Sequence, residues 1–498
     1  MRGASQYRSH HGADRSEIHR NGRTAAEEAT KGAGRFAVGR ATAVGAYRAF
    51  RPVAMGLTGY QSLRTVRFRR PRLRQGRQMG LSLPADHAFA ASVHPDVDRT
   101  ASADPGPSAE EARAVDHDVP GGLQRMAEAV LAERVAEAAE HDPVFADEVA
   151  RRVADFTLRG GKRMRSRLLW WAMRACGAAD TAAALRLGVG LELIQTCALI
   201  QDDVMDRSPT RRGRPAVHIA LAERLGLPAG SGPGGAFGAS AAVLAGDLAL
   251  VWADDTVAET CLPPSRRRRI TAVWRAMRGE MIAGQYLDLR GQAVGAASAT
   301  TALRTARLKS ALYTVERPLA LGAALAGADR RTTDELRAAG RYAGTAFQLR
   351  DDLLGAFGDP AVTGKPSGDD IRDGKPTYLL AVARARADAA GDRRAPAVLD
   401  RAVGDPGLGD DDLAEVRSVL EATGARAHVE DRARRLGERA AHHLARAVDV
   451  EAHAGGRLLD LLAAVAGSRA APPPGPGSAH PPYRETAAPA PAVAEGGR

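Results

Sequence analysis

The stretch "DTAAALRLGVGLELIQTCALIQDDVMDRSPTRRG", Asp180 to Gly213, decides the fold. Up to Ile200 it is apolar nearly all round, far too long for a strand. A helix that is hydrophobic on every side is a buried one, so a central core helix is predicted here. The polarity then changes abruptly. Asp202, Asp203 and Asp206 close the run, and a Pro-containing loop carries Arg211 and Arg212.

Other helical patterns surround this one. "LQRMAEAVLAERVAEAAE" (Leu123 to Glu140) repeats apolar residues at three and four, and "TAVWRAMRGEMIAGQYLDL" (Thr271 to Leu289) is again helix-like. Breaks fall at the Gly/Pro-rich "RSPTRRGRP", "GLPAGSGPGG" and "GDPAVTGKPSGDDIRDGKP". Period-two alternation is scarce, and no Gly-x-Gly-x-x-Gly fingerprint follows a strand. The expected fold is therefore all-α: a single large helical bundle with a central active-site cavity over residues 119–467. Residues 1–118 read as a basic, disordered extension and 468–498 as a Pro/Ala-rich disordered tail.

The net charge of +11 invites a nucleic-acid reading until it is located. Residues 1–85 hold 17 Lys/Arg against 4 Asp/Glu, which leaves 53 against 55 for the rest of the chain. The folded part is thus nearly neutral, and no nucleic-acid partner is expected for it. Three cysteines at no metal-binding spacing fit a reducing, cytoplasmic setting. No run of about 18 uninterrupted apolar residues occurs, so no transmembrane segment is expected.

On a helix, Asp202 and Asp206 share one face with Asp203 beside them. Three acids at the end of an apolar helix repel one another, and a hard divalent cation such as Mg²⁺ resolves the repulsion. Alone, DDxxD also arises by chance in Ala/Asp-rich chains. Arg211 and Arg212 alter the weighting, because paired guanidinium groups suit phosphate. Upstream, "RGGKRMRSRLL" places Lys162 and Arg165 after two glycines that let a ligand approach the backbone. Downstream, "GKPSGDDIRDGKPT" alternates Lys365, Asp370, Asp373 and Lys375 on a Gly-rich loop, as a lid over metal and phosphate requires.

Taken in order, "GGKRMR", "LIQDDVMDRSPTRRG", "AGD" (Ala245 to Asp247), "GQYLD" (Gly284 to Asp288), "KSALY" (Lys309 to Tyr313), "FQLRDDLLG" and "GKPSGDDIRDGK" resemble the trans-isoprenyl diphosphate synthase, or polyprenyl synthetase, family and within it the geranylgeranyl type. The resemblance implies condensation of isopentenyl diphosphate with an allylic diphosphate. It implies three Mg²⁺ ions on Asp202, Asp206 and Asp351, with Arg211, Lys309 and Lys365 on the allylic diphosphate and Lys375 on the same loop. It also implies Lys162, Arg165, Gln195 and Arg212 on isopentenyl diphosphate, and Gln348 and Ser310 facing the allylic cation. A homodimer is a further expectation of the resemblance.

The small Cys197 and Ala198 stand where relatives that stop at fifteen carbons carry bulky aromatics, which points to a product of C20 or longer; Ile194 and Leu191 lie deeper. Longer-chain synthases, class I terpene cyclases and a non-catalytic regulatory subunit share parts of the pattern. A cyclase lacks the second Lys/Arg set, and a silent subunit has no need of Asp202, Asp206, Arg211 and Lys309. In "QLRDDLLGAFGDP" the second acidic motif ends in Gly355 where many relatives have Asp. The expectation is that Asp351 suffices there, that Asp370 and Asp373 assist, and that Gly355→Asp changes turnover little.

Overall fold

The computed structural model describes residues 107–230, 232–295, 298–359 and 367–467. The expected tails before Pro107 and after Gly467, and Lys365, lie outside the described residues. All the long elements are helices. In chain order they are α1 (Pro107–His117), α2 (Val119–His141), the short α3 (Pro143–Phe145), α4 (Arg151–Leu158), α5 (Met164–Ala175) and α6 (Thr181–Met205). A two-residue ladder, β1 (Thr210–Arg211) with β2 (Arg214–Pro215), separates these from α7 (Val217–Arg224), α8 (Gly232–Glu259), α9 (Pro264–Val294) and α10 (Ala299–Ala306). A π-helix (Arg307–Glu316) leads into α11 (Arg317–Ala326) and α12 (Arg330–Phe357). The described residues continue through α13 (Asp369–Arg372), α14 (Tyr378–Ala390), α15 (Arg394–Ala402), α16 (Asp410–Ala422), α17 (Ala425–Ala447) and α18 (His453–Ala466).

α6 is the axis that the sequence called for. Leu187, Leu191, Leu193 and Ile194 are fully buried, each contributing roughly 1.5–3 kcal/mol by removal from water. It packs against α8, α5 and α2, and its apolar circumference is explained by enclosure on every side. Both α6 and α8 are long and apolar enough to cross a membrane, although neither is an uninterrupted apolar run. α6 is spent on the core, whereas α8 is covered on one face only.

Structure begins before the boundary expected at 119. α1 buries Ala112 and Val115 in the core. Its Asp116 accepts from Trp170 Nε1 at 2.9 Å and from the Arg174 guanidinium at 2.8 Å. The sequence signal was weak because α1 is short and lies among Gly, Pro and Ser; its partners on α5 stabilise it.

Candidate active site

α6 ends at Met205, and Asp206 is its C-cap. Acids at a helix C-terminus face the negative end of the dipole, so this arrangement costs free energy unless cations offset it. They do so from three other elements. Lys309 Nζ stands 3.3 Å from Asp202 and 2.7 Å from Asp288. Lys375 Nζ stands 3.1 Å from Asp206 and within 3.4 Å of both Asp370 and Asp373. Arg211, on β1, lies 3.9 Å from Asp202.

The middle acid behaves differently. Asp203 is 1% exposed, and Arg211 donates to its Oδ1 through both Nε, at 2.8 Å, and Nη2. Burial raises its carboxyl pKa even with Arg211 beside it. Asp203 therefore holds Arg211 rather than joining Asp202 and Asp206 against Lys309 and Lys375. Asp352, the middle acid of the second motif, is likewise buried, accepting from Gln348 Nε2 at 3.1 Å and from the Tyr378 main chain at 3.2 Å. Burial pushes its carboxyl up to about 7. Asp351 is on the exposed side of α12.

Lys309 and Ser310 sit on the π-helix, whose wide turn is a frequent device at functional sites. Its position depends on Gly284 in "GQYLD": a Cβ there would lie 2.2 Å from the main-chain nitrogen of Lys309. The same motif supplies Asp288 to Lys309 and Gln285 Nε2 to Asp202 at 3.2 Å. Gly284→Ala should force α9 off the π-helix, costing about 2 kcal/mol of stability by overpacking and about tenfold or more in kcat through displaced Lys309. Denaturant unfolding and steady-state kinetics check both numbers.

A second group of cations gathers beside α6. Arg165 donates to Thr314 Oγ1 at 3.0 Å and lies 4.1 Å from the centre of the Tyr313 ring. Tyr313 OH donates to Gln195 Oε1 at 2.6 Å. Lys162 is exposed on the glycine turn, and Arg212 is exposed over the Phe156 ring with a bond to the Arg159 carbonyl at 3.2 Å. Beneath them Arg163 is buried, 3.4 Å from Glu192 of α6. Arg163, Arg207 and Arg212 are the non-glycine residues with left-handed φ among those described, and all flank these two groups. Such backbone strain clusters at functional sites.

Asp202 and Asp206 are thus together, as are Arg165 and Gln195, but Asp351 is not drawn into one set with the first two acids. Among the described residues no three His, Cys, Asp or Glu side chains stand at metal-binding spacing. The donor set nonetheless fits a hard divalent cation. Asp206 has its carboxyl raised by burial and by the neighbouring Asp202, a strain that a cation relieves. Cys197 is buried, its thiol pushed up to about 12 by that burial, and Ala198 is half-buried one turn before Asp202. Tyr313, Gln285 and Asp288 were missed as site residues from sequence; they stood inside quoted motifs, but no spacing rule links them to α6.

The profile of the polyprenyl synthetase family matches residues 147–407, which contain every acid and cation of this candidate site. The chain belongs to the polyprenyl synthetase family. Similar members include a (2E,6E)-farnesyl diphosphate synthase of Mycobacterium tuberculosis, 34% identical over 59% of this chain and 74% of the relative. A geranylfarnesyl diphosphate synthase of Aeropyrum pernix is 32% identical over 61% of this chain and 88% of its own. The crystal structure of a geranylgeranyl pyrophosphate synthase from Corynebacterium glutamicum, complexed with isoprenyl diphosphate and magnesium, aligns with TM-score 0.63 and 37% identity, covering 70% of this chain and 99% of that one. The all-α fold is the fold of this family, and the chain is a prenyltransferase by descent.

Proposed function

We propose that this polyprenyl synthetase condenses isopentenyl diphosphate head-to-tail with an allylic diphosphate and releases mainly geranylgeranyl diphosphate. One observation carries the reading: an acid pair with its lysines, Asp202–Lys309 and Asp206–Lys375, lies beside a separate cationic group around Arg165 and Gln195. Two diphosphates of different roles require two such places. A class I cyclase has no use for the second.

Asp202 and Asp206, with Asp351 from α12, would hold Mg²⁺, three ions by family resemblance, which supplies Lewis-acid neutralisation of the departing diphosphate. Lys309, Arg211 and Lys375 place positive charge where negative charge develops as the allylic C–O bond breaks. Lys365 is assigned to the same diphosphate from its position in the motif. Lys162, Arg165, Gln195 and Arg212 bind the second diphosphate and bring its double bond to the allylic carbon, where the new C–C bond forms. The proton lost in elimination passes to the released diphosphate. Gln348 is oriented by its bond to Asp352, and together with the Ser310 hydroxyl it offers dipoles to the cation without a strong nucleophile to trap it.

The C20 product is supported by α6 itself. From Leu191 to Gln201 it carries no aromatic side chain to stop the growing chain before Asp202. Ala198→Phe is expected to shift the major product down by one C5 unit; an unchanged distribution by mass would refute the assignment of this wall. The protein acts in the cytoplasm as a homodimer in this reading. Phe237, Leu244 and Val251 repeat every seven residues along the open face of α8, and Leu244 is 63% exposed. Such a stripe suits a second copy.

The test is to determine the mass of the purified full chain in solution and incubate it with isopentenyl diphosphate and dimethylallyl, geranyl or farnesyl diphosphate in turn. A C20 diphosphate formed only with Mg²⁺ is expected. Failure to extend any primer would overturn the reading.

A further inference from the structure

The glycine turn between α4 and α5 sends two neighbouring cations in opposite directions: Lys162 is exposed, whereas Arg163 is only 7% exposed. The buried guanidinium is held by three other elements. Arg163 Nη2 donates to Gln124 Oε1 of α2 at 2.8 Å and to the Leu158 carbonyl at the end of α4 at 2.9 Å. Its Nη1 faces Glu192 Oε2 of α6 at 3.4 Å and makes no hydrogen bond. Glu192 is buried as well, and accepts from Ser166 Oγ of α5 at 2.7 Å.

The turn rests on this side chain. A Cβ at Gly160 would lie 3.1 Å from both Cζ and Nη1 of Arg163, whereas one at Gly161 would meet nothing within 4 Å. One glycine is therefore seated on the guanidinium and the other is open. Arg163 is also the N-cap of α5, with φ of 50°, a left-handed conformation that a non-glycine residue keeps only where its surroundings fix it. On α6, Glu192 stands three residues before Gln195 and shares its face.

Stability does not account for such a pair. Taking two charges out of water costs about as much as their attraction returns, and an apolar pair of similar volume is often as good or better. The missing hydrogen bond at Nη1 weakens the return further. What the pair does supply is a fixed position for the turn that carries Lys162 and starts the helix of Arg165.

We propose that Arg163 and Glu192 are positioning residues for the second diphosphate: the pair pins the glycine turn to α6, so that Lys162, Arg165 and Gln195 meet one anion together. The inference rests on the two-diphosphate reading above and extends it to two residues that the reading leaves without a role. Both act through their neighbours and neither touches the substrate.

The experiment exchanges the ion pair for an apolar one, Arg163→Met with Glu192→Leu, in the full chain. Beside it stands Arg163→Lys, which keeps the charge but not the planar fork. The readouts are KM for isopentenyl diphosphate, KM for the allylic primer that the unsubstituted chain extends best, kcat, and thermal unfolding. The double variant should melt at or above the temperature of the unsubstituted chain. Its KM for isopentenyl diphosphate should rise about tenfold or more, and its KM for the primer should stay within about threefold. Arg163→Lys should raise the first KM about threefold. A pair that served only the core would shift melting and leave both KM values in place. An unchanged KM for isopentenyl diphosphate in the folded double variant, or an equal rise in both KM values, would overturn the inference alone. If the double variant does not fold, Arg163→Lys decides: the same two outcomes in that protein overturn it. Absence of condensation by the unsubstituted chain would instead overturn the prenyltransferase reading, and this inference with it.

Discussion

Asp202→Asn should lower kcat about a thousandfold or more while leaving thermal stability equal or higher. The substitution keeps the shape of the side chain and an oxygen for Lys309 and Gln285, at 3.3 and 3.2 Å, but removes the charge. In the proposed function transition-state stabilisation depends on that charge, because Asp202 would hold the cations that neutralise the leaving diphosphate. Folding does not depend on it in the same way. Asp202 sits at the negative end of α6, beside Asp206, and each acid there disfavours the other. Removing one relieves repulsion. Steady-state kinetics at saturating Mg²⁺ and a thermal melt of the same preparation check the two halves. Near-normal kcat would show that Asp202 is not in the reacting site, whatever the melt reports.

Asp203→Ala should do the reverse in emphasis, costing about 3 kcal/mol of folding stability by breaking a buried ion pair and stranding Arg211. Asp203 is buried and takes both Nε and Nη2 of Arg211. Arg211 is itself largely buried, so without its partner it loses its main counter-charge and its direction. Activity should fall with it, by about a hundredfold, because the guanidinium no longer points along the acid face. Chemical denaturation gives the stability term, and kinetics under conditions where the variant is fully folded give the second. Loss of activity with unchanged stability would place Asp203 among the metal-facing acids instead. The contrast between two adjacent aspartates is the sharpest consequence of the geometry: Asp203 holds Arg211, whereas Asp202 faces Lys309 and, in the proposed function, the substrate's metal ions.

Little of that contrast was available from "DDVMD" read as a string. Helical spacing puts Asp202 and Asp206 on one face, and it leaves Asp203 merely beside them. The ladder of β1 and β2, which brings Arg211 back under Asp203, is two residues long and has no period to detect. Asp288 and Gln285 were in view inside "GQYLD", yet their task depends on α9 crossing the π-helix at Gly284, a contact between segments remote in sequence. Tyr313 was in view inside "KSALY", and only the packed π-helix turns it to Gln195. The boundary at 119 missed α1 for a related reason. Its stability comes from Asp116 reaching Trp170 and Arg174, not from its own propensity.

The sequence by itself determined that this chain is all-helical about one enclosed axis, that the axis ends in acids, and that glycine-bearing turns carry the cations. These are local facts: periodicity, composition and motif order need no neighbours to be read. Tertiary structure decided which acid faces inward, which lysine meets which carboxylate, and that Arg163 turns in to Glu192 while its neighbour Lys162 stays exposed. Those depend on side chains from distant segments competing for the same few cubic ångströms, and close packing admits one of them at a time.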